Sequence, residues 1–252
     1  MLKYKIAFNI SLSNVGSYFY YYGVFMEKKT FYTELAYVVG IITLAIGTAF
    51  MEKANFGMSM VVSPAYIIHL KVSEFLPFFS FGMAEYTLQA VLLVLMMIFL
   101  RRFKLSYLFS FATALIYGFT LDGAIALAAF IPSESIVLRI VYFVAGMLTC
   151  SVGVSMFFHT YISPEAYELF VKELSAKFGI SITKFKTGYD CVSCLISIIM
   201  SFAFFGLWHF EGVKLGTVIC ALVNGYTIGL FSKFFENHFE FKDGLRLKKF
   251  FK

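Results

Sequence analysis

The hydrophobic part of this chain is duplicated, and this duplication constrains the fold more than any other feature. Residues 114–120 (ALIYGFT) closely resemble residues 221–227 (ALVNGYT), and a Ser-Pro pair, Ser63-Pro64 or Ser163-Pro164, follows the first hydrophobic stretch of each copy. Within those two stretches one spacing is repeated by Gly40, Thr43 and Gly47 and by Gly146, Thr149 and Gly153. A long internal repeat fixes the architecture of a protein, and many transporters consist of two related halves around a central site.

Composition identifies the solvent of this chain as a lipid bilayer. Its 252 residues are 60% hydrophobic and only 14% charged, whereas soluble domains carry about 25% charged residues. The four cysteines lie within or beside apolar segments, so we read them as small packing residues and not as a disulfide framework. The net charge of +6 is unevenly placed; it bears on membrane topology and gives no indication of nucleic-acid binding.

Six segments are long and apolar enough to cross a bilayer core, which needs about 20 residues in a helix. The predicted spans are 33–51, 82–101, 105–122, 135–158, 189–210 and 213–233. Residues 1–30 are interrupted by too many polar groups, so we interpret them as an interfacial segment, with a seventh span as the alternative.

Basic residues set the predicted orientation. With the N-terminus in the cytoplasm, all but four of the 21 Lys and Arg residues fall on the inner side. The four on the outer side are Lys53, Lys71, Arg139 and Lys214. This bias fits the positive-inside rule and predicts that both termini are cytoplasmic.

Each copy contains three crossings, an odd number, so the second copy enters the membrane from the opposite side. The sequence therefore predicts an all-α integral membrane protein of six transmembrane helices, arranged as two inverted three-helix repeats. We divide the chain into an N-terminal interfacial segment (1–32), a first repeat (33–131), a second repeat (132–234) and a basic cytoplasmic tail (235–252).

The two Ser-Pro pairs are predicted helix starts, because serine is a favoured N-cap and proline is tolerated in the first turn. Each begins a short amphipathic helix, over 64–76 and 164–178. Such a helix either lies flat on the membrane surface or re-enters the membrane with its N-terminal amides facing a cavity. On the second reading the candidate substrate-binding residues are Ser63, Tyr66, Ser163 and Tyr167.

Two acids, Glu85 and Asp190, occupy similar positions in the two copies. A carboxylate inside a membrane is costly unless it is paired or hydrated, so both are candidate ion-coupling residues. The alternative places both in the headgroup zone, where an acid costs little.

Tyr117 and Asn224 occupy matching positions in the two copies and complete the candidate substrate-binding set. An amide in an apolar helix needs a partner, so Asn224 either holds substrate or bridges helices. No sequence pattern of a metal site, a cofactor site or an enzyme active site is found, so we expect no cofactor and no catalytic activity.

The chain resembles the YczE/YitT-like family of bacterial multi-span membrane proteins over most of residues 36–234. The resemblance rests on the glycine-rich first helix running into Lys53-Ala54-Asn55-Phe56-Gly57, on Arg101-Arg102, and on Gly216-Thr217 leading into 221–225. The second copy lacks the Lys-Ala-Asn element. The resemblance implies a multi-span protein of the bacterial cytoplasmic membrane that acts as a transporter, without naming a substrate.

These features predict a small secondary transporter that moves a small polar or anionic solute by alternating access, coupled to protons or another cation. Its partners would be the bilayer and this unknown solute, with a homodimer or a partner ATPase as further options. The alternative is a substrate-capture or accessory subunit that docks through the basic segments 172–186 and 242–252. A membrane enzyme is the least favoured reading.

Overall fold

The computed structural model describes residues 28–208 and 210–245, and these form eight helices and two short strands. In chain order the elements are β1 (Lys29–Tyr32), α1 (Thr33–Ala54), α2 (Ser63–Ser73), α3 (Phe81–Leu100), α4 (Leu105–Ala128), α5 (Ile136–Phe158), α6 (Ala166–Phe178), α7 (Ile182–Phe205), α8 (Leu215–His238) and β2 (Phe239–Lys242). Six of the helices are long and apolar enough to span a membrane, and the short helices α2 and α6 interrupt them. The predicted all-α membrane fold with six spans is confirmed.

The boundaries of several spans differ from the predicted ones, and helix α4 continues to Ala128, six residues past the predicted 122. Helix α7 starts at Ile182, seven residues before the predicted 189, and α8 continues to His238, five residues past 233. Hydropathy misses the first turns of α7 because Lys184 and Lys186 interrupt the apolar run. Lys186, assigned to a cytoplasmic loop from the sequence, is instead a buried helical residue.

Helices α1 and α5 cross in antiparallel fashion at the centre of the molecule, through the repeated glycines. A Cβ atom on Gly40 would lie 3.2 Å from the carbonyl oxygen of Gly153, and one on Gly153 would lie 2.9 Å from that of Gly40. Gly47 and Gly146 have the same reciprocal relation, at 2.7 Å in each direction. Small residues therefore allow these backbones to touch.

The repeated threonines do not bridge this crossing. Thr43 and Thr149 donate to carbonyl oxygens of their own helices, Val39 and Ala145, at 2.7 Å each. Neither hydroxyl donates to the other helix, because each bonds to a carbonyl oxygen one turn back in its own helix.

The remaining helices pack in a matching pattern. Helix α4 lies against α1 and α3, and α8 lies against α5 and α7. The short helix α2 packs between α3 and α7, and α6 packs between the same two long helices and also touches α4. Both short helices are thus held at the junction of α3 and α7.

The two strands pair in parallel and join the start of α1 to the end of α8. Phe31 and Phe241 pack edge-on, and His159 stacks on Phe241, so this ribbon is anchored to the end of α5. The predicted interfacial segment and basic tail lie mostly outside the described residues. The alternative of a seventh span over residues 1–30 falls on the same part of the chain.

Candidate functional site

Helix α6 begins deep among the long helices and runs out to one end of the molecule. The backbone amide of Ala166, its first residue, donates to Gln89 Oε1 at 3.0 Å. Near its other end, Lys177 donates to the carbonyl oxygen of Phe99 at 2.6 Å. Gln89 lies eleven residues before Leu100, the end of α3, which is about 16 Å along the helix axis and half of a bilayer core. The re-entrant reading of this helix therefore fits its contacts, and the flat surface reading does not.

The loop that delivers α6 has its backbone satisfied by α4. Thr113 Oγ1 donates to the carbonyl oxygen of Ser163 at 2.9 Å, and Ser110 Oγ donates to that of Pro164 at 2.6 Å. Irregular backbone is tolerated at membrane depth only where protein or a cavity shields it. These two hydroxyls explain how the second Ser-Pro pair lies buried inside the protein.

The first Ser-Pro pair has different surroundings. Ser63 Oγ donates to the carbonyl oxygen of Gly212, in the loop between α7 and α8, at 3.2 Å. The Tyr66 ring packs edge-on against Phe81 at a centroid distance of 5.1 Å. These two candidates lie at the opposite end of the molecule from Lys177, where Ser63 contacts the loop between α7 and α8 and Tyr66 contacts the start of α3.

Carboxylates from α3 and from the start of α6 meet around one glutamine. Tyr167 donates its hydroxyl to Glu85 Oε2 at 3.0 Å. Gln89 donates its amide to Glu165 Oε2 at 3.1 Å and more weakly to Glu85 Oε2 at 3.5 Å. Two residues predicted for different roles, Tyr167 for substrate and Glu85 for coupling, are thus brought into direct contact. Glu85 is 0% exposed, so its carboxyl group is shielded by protein.

On the other side of α6, helix α7 contributes an ion pair. Lys186 Nζ lies 3.2 Å from Asp190 Oδ1, one turn apart, and Asp190 is 1% exposed. Glu168 of α6 is also buried and lies within electrostatic range of both partners. We call the residues Glu85, Gln89, Glu165, Tyr167, Glu168, Lys186 and Asp190 the acid cluster.

Burial controls the charge of the two acids that lie outside the spanning helices. Burial, and then repulsion from Glu168 and Glu85, raises the pKa of Glu165 well above its ordinary value of 4.5. Burial also raises the pKa of Glu168, although the nearby Lys186 ammonium opposes this shift. Glu165 and Glu168 therefore hold their protons more tightly than free carboxyl groups do.

The last two candidates make their hydrogen bonds to residues outside the acid cluster, although Tyr117 lies within electrostatic range of Glu165 and Glu85. Tyr117 is buried and its hydroxyl lies 3.0 Å from Thr48 Oγ1. Asn224 Oδ1 accepts from Ser151 Oγ at 3.0 Å, and Ser151 also lies 2.8 Å from Thr227 Oγ1. Asn224 thus has the partner that an amide in an apolar helix requires, and this bond bridges α5 and α8.

The two copies differ in how tightly their last two helices pack. In the first copy, a Cβ on Gly82 would collide with the carbonyl oxygen of Gly118, so α3 and α4 are in backbone contact. In the second copy, the equivalent Gly188 has nothing within 4 Å, and Gly225 has only Thr187 Oγ1 at 3.9 Å. Helices α7 and α8 are therefore apart where α3 and α4 are closed.

A side chain present in only one copy reinforces this difference. Asp122 of α4 accepts from the amide of Gly82 at 2.8 Å and from Ser80 Oγ at 2.6 Å, which ties α4 to the start of α3. The position equivalent to Asp122 in the second copy is Gly229, which has no side chain. Asp122 thus connects two helices, and we call these contacts the Asp122 latch.

A crevice of about 190 Å³ occupies the space between the open helices. It is lined by Phe158, Ile182, Lys186, Gly225, Ile228, Gly229 and Ser232. Lys186 links it to the acid cluster, because the same side chain lines the crevice and pairs with Asp190.

Sequence reasoning missed Gln89, Glu168 and Lys186 as site residues. The pairs Glu85/Gln89 and Lys186/Asp190 are each separated by four residues and so share a helix face, a signal that was available. The basic segment 172–186, suggested as a docking surface, offers fewer free charges than the sequence indicates. Lys186 is buried, and Lys177 donates to the carbonyl oxygen of Phe99. Within the described ranges, no three His, Cys, Asp or Glu side chains are arranged to hold a metal ion.

None of the curated proteins and none of the solved structures compared with this chain matches it. A family match covers residues 31–233, which includes all eight helices up to the last turns of α8. The chain therefore belongs to the Family of unknown function (DUF6198).

Proposed function

We propose that this protein is a small secondary transporter that moves a small polar solute by alternating access between two inverted repeats. The reciprocal glycine contacts of α1 and α5 support a two-fold axis through their crossing. Because these helices cross in antiparallel fashion, such an axis lies in the membrane plane. Inverted repeats of this kind give a transporter two conformations of similar energy, one open to each side.

The contrast between the two glycine pairs is the observation that carries the proposal. If the halves are equivalent, the closed contact at Gly82 and Gly118 and the open one at Gly188 and Gly225 are two states of the same joint. The opposite conformation then closes α7 on α8 and opens α3 from α4. Carriers work by such an exchange, because each half adopts the conformation that the other has left.

The distribution of loops supports the proposed orientation. Lys214 donates to Asn55 Oδ1 at 2.6 Å, and Arg139 donates to the carbonyl oxygen of Ala54 at 2.8 Å, so three predicted outer segments meet. At the other end, Arg102 pairs with Glu173 at 2.6 Å, as expected for inner segments. We place the crevice and both termini on the cytoplasmic side of a bacterial cytoplasmic membrane, and keep the relationship to the YczE/YitT-like family as part of the proposal.

The charge of the acid cluster favours a cationic or neutral polar solute over the anionic one that the sequence allowed. An anion at the start of α6 would need free amide donors, yet the Ala166 amide already donates to Gln89. An ionised carboxylate of the acid cluster would also repel it. Proton coupling fits the same groups, because buried carboxyls bind and release protons during transport.

Cysteine labelling in cells tests this proposal. In a cysteine-free background, we expect Ser232→Cys, in the crevice, to react rapidly from the cytoplasmic side with a membrane-impermeant maleimide. Leu121→Cys, buried beside the closed α3–α4 joint, should react slowly and only from the outside. Labelling of both positions from the same side would contradict the inverted arrangement.

A second measurement separates a carrier from a subunit. The purified chain in liposomes should exchange solute without ATP. Flux that appears only when a co-purified ATPase is added would exclude a secondary transporter and favour the accessory-subunit reading.

A further inference from the structure

Three carboxylate oxygens of the acid cluster are buried without a hydrogen-bond partner within the described part of the chain. They are Glu85 Oε1, Glu165 Oε1 and Glu168 Oε2. The second oxygens of Glu85 and Glu165 are both satisfied, by Tyr167 and Gln89. Each free oxygen lacks a hydrogen-bond partner whether its carboxyl group is ionised or protonated, and leaving such atoms unpaired costs about 1–3 kcal/mol each.

The arrangement of these oxygens indicates what kind of donor would fit. Among the described residues no three acids converge as metal ligands, so the oxygens do not surround a single small ion. A cation with several N–H groups, such as an ammonium or guanidinium ion, presents donors in different directions and suits separated acceptors. Lys186 already places one ammonium group beside Asp190 and near Glu168, so the cluster is compatible with this chemistry.

The crevice provides an entrance of adequate size. Its volume of about 190 Å³ exceeds the cavity of about 150 Å³ that accommodates benzene. Its other lining is largely apolar, and Lys186 is the lining residue that belongs to the acid cluster, through its pairing with Asp190.

We propose that the acid cluster is a binding site for a small organic cation of the ammonium or guanidinium class, and that this cation exchanges with protons. Binding transfers a proton from one carboxyl group to water, and the resulting carboxylate pairs with the incoming cation. The titratable groups that face the site are Glu85 from α3, Tyr37 from α1, Tyr117 from α4, Glu165, Tyr167 and Glu168 from the α6 region, and Lys186, Tyr189 and Asp190 from α7. This inference rests on the proposed function, since it names the solute of the same carrier.

Proton release from the detergent-solubilised full chain tests the site. Millimolar methylammonium or guanidinium chloride is added in weak buffer near neutral pH, with an indicator dye. We expect saturable release of about one proton per chain. Tetramethylammonium, which carries the same charge but no N–H donor, should release none. Equal release by tetramethylammonium, or no release by either N–H cation, would overturn the proposal.

Variants assign the effect to the cluster. Glu165→Gln and Glu168→Gln should weaken the apparent affinity by about tenfold or more, which is 1.4 kcal/mol. The matched control is Glu173→Gln, on the same helix but paired with Arg102 and Lys104 at the surface. Unchanged release in both cluster variants, or an equal loss in the control, would refute the assignment.

The cation series on the unmodified protein keeps the test valid if a variant does not fold. The assay is also independent of transport. Proton release without flux in liposomes would support the cation site and refute the transporter function. Labelling from opposite sides without proton release would support the transporter function and refute the cation site.

Discussion

Removing the Asp122 side chain should open the outer joint between α3 and α4. Its carboxylate accepts from the Gly82 amide at 2.8 Å and from Ser80 Oγ at 2.6 Å, and these bonds hold the start of α3 against α4. If the joint opens during transport, both bonds are made only in the closed state. Asp122→Ala would then raise the free energy of the closed state selectively.

The size of the effect follows from these two bonds. Hydrogen bonds to charged groups contribute about 1.5–3 kcal/mol each. Asp122 is half-buried, so hydrogen bonds to water replace part of this stabilisation when the joint opens. We therefore take about 2 kcal/mol for the pair, which corresponds to roughly a 30-fold increase in the open population. Asp122→Asn retains an acceptor for the Gly82 amide and should give a smaller increase, about fivefold.

Labelling of Leu121→Cys from the outside reports this population. Leu121 is fully buried in the closed joint and is equivalent to Ile228 of the crevice. The four native cysteines, Cys150, Cys191, Cys194 and Cys220, are replaced by alanine beforehand. The labelling rate with an impermeant maleimide should rise about 30-fold in Asp122→Ala, because reaction requires the open form.

One result would refute this reasoning. If Asp122→Ala lowers the melting temperature but leaves the Leu121→Cys labelling rate unchanged, the bonds are made in both conformations. The Asp122 latch would then be a structural contact only, and the difference between the two glycine pairs would lose its interpretation as two states of one joint.

Three further predictions concern stability and pH. Gly47→Ala should reduce the free energy of unfolding by about 1–3 kcal/mol in thermal melts, because its Cβ would lie 2.6 Å from Cys150 Sγ; Gly229→Ala, with nothing within 4 Å, is the control, and equal losses would contradict the close crossing. Because folding raises the pKa of Glu165 from 4.5, folding takes up a proton and the unmodified protein loses stability as pH rises above that value. Glu165→Gln should remove this loss and become relatively more stable in melts as the pH is raised above 4.5, and parallel pH curves would show that Glu165 is ionised. Asn224→Leu should cost about 0.6–1.7 kcal/mol without abolishing cation-induced proton release, since its amide bonds to Ser151; loss of proton release in a folded variant would instead place Asn224 in the binding site.

Much of the helical framework could be predicted because its signals are local. Hydropathy located six spans, and the spacing of Gly40, Gly47, Gly146 and Gly153 identified the faces that meet. The start of α7 was missed because Lys186 reads as a loop charge, although its charge is paired with Asp190 inside the protein. A hydropathy window weighs each residue alone and takes no account of such a partner.

The candidate site could be predicted only in part. Tyr167 and Glu85 were each singled out, and they are in contact. Tyr117 and Asn224 lie at other helix contacts, and the roles of all these residues in binding or coupling remain predictions. The only sequence signal of Gln89, which connects Glu85 with Glu165, was its spacing of four residues from Glu85, and one glutamine in an apolar helix has many structural explanations.

The sequence by itself determined the number of spans, the repeated order of long and short helices and the small-residue faces, because each depends on neighbouring residues within a few turns. Only the tertiary structure decided that α6 begins deep among the long helices, where Glu165 and Tyr167 meet Gln89 and Glu85 across 76 and 82 residues of chain. It also decided that α3–α4 is the closed joint and α7–α8 the open one. Both copies carry the same glycine pair, so the glycine pattern alone does not show which joint is closed.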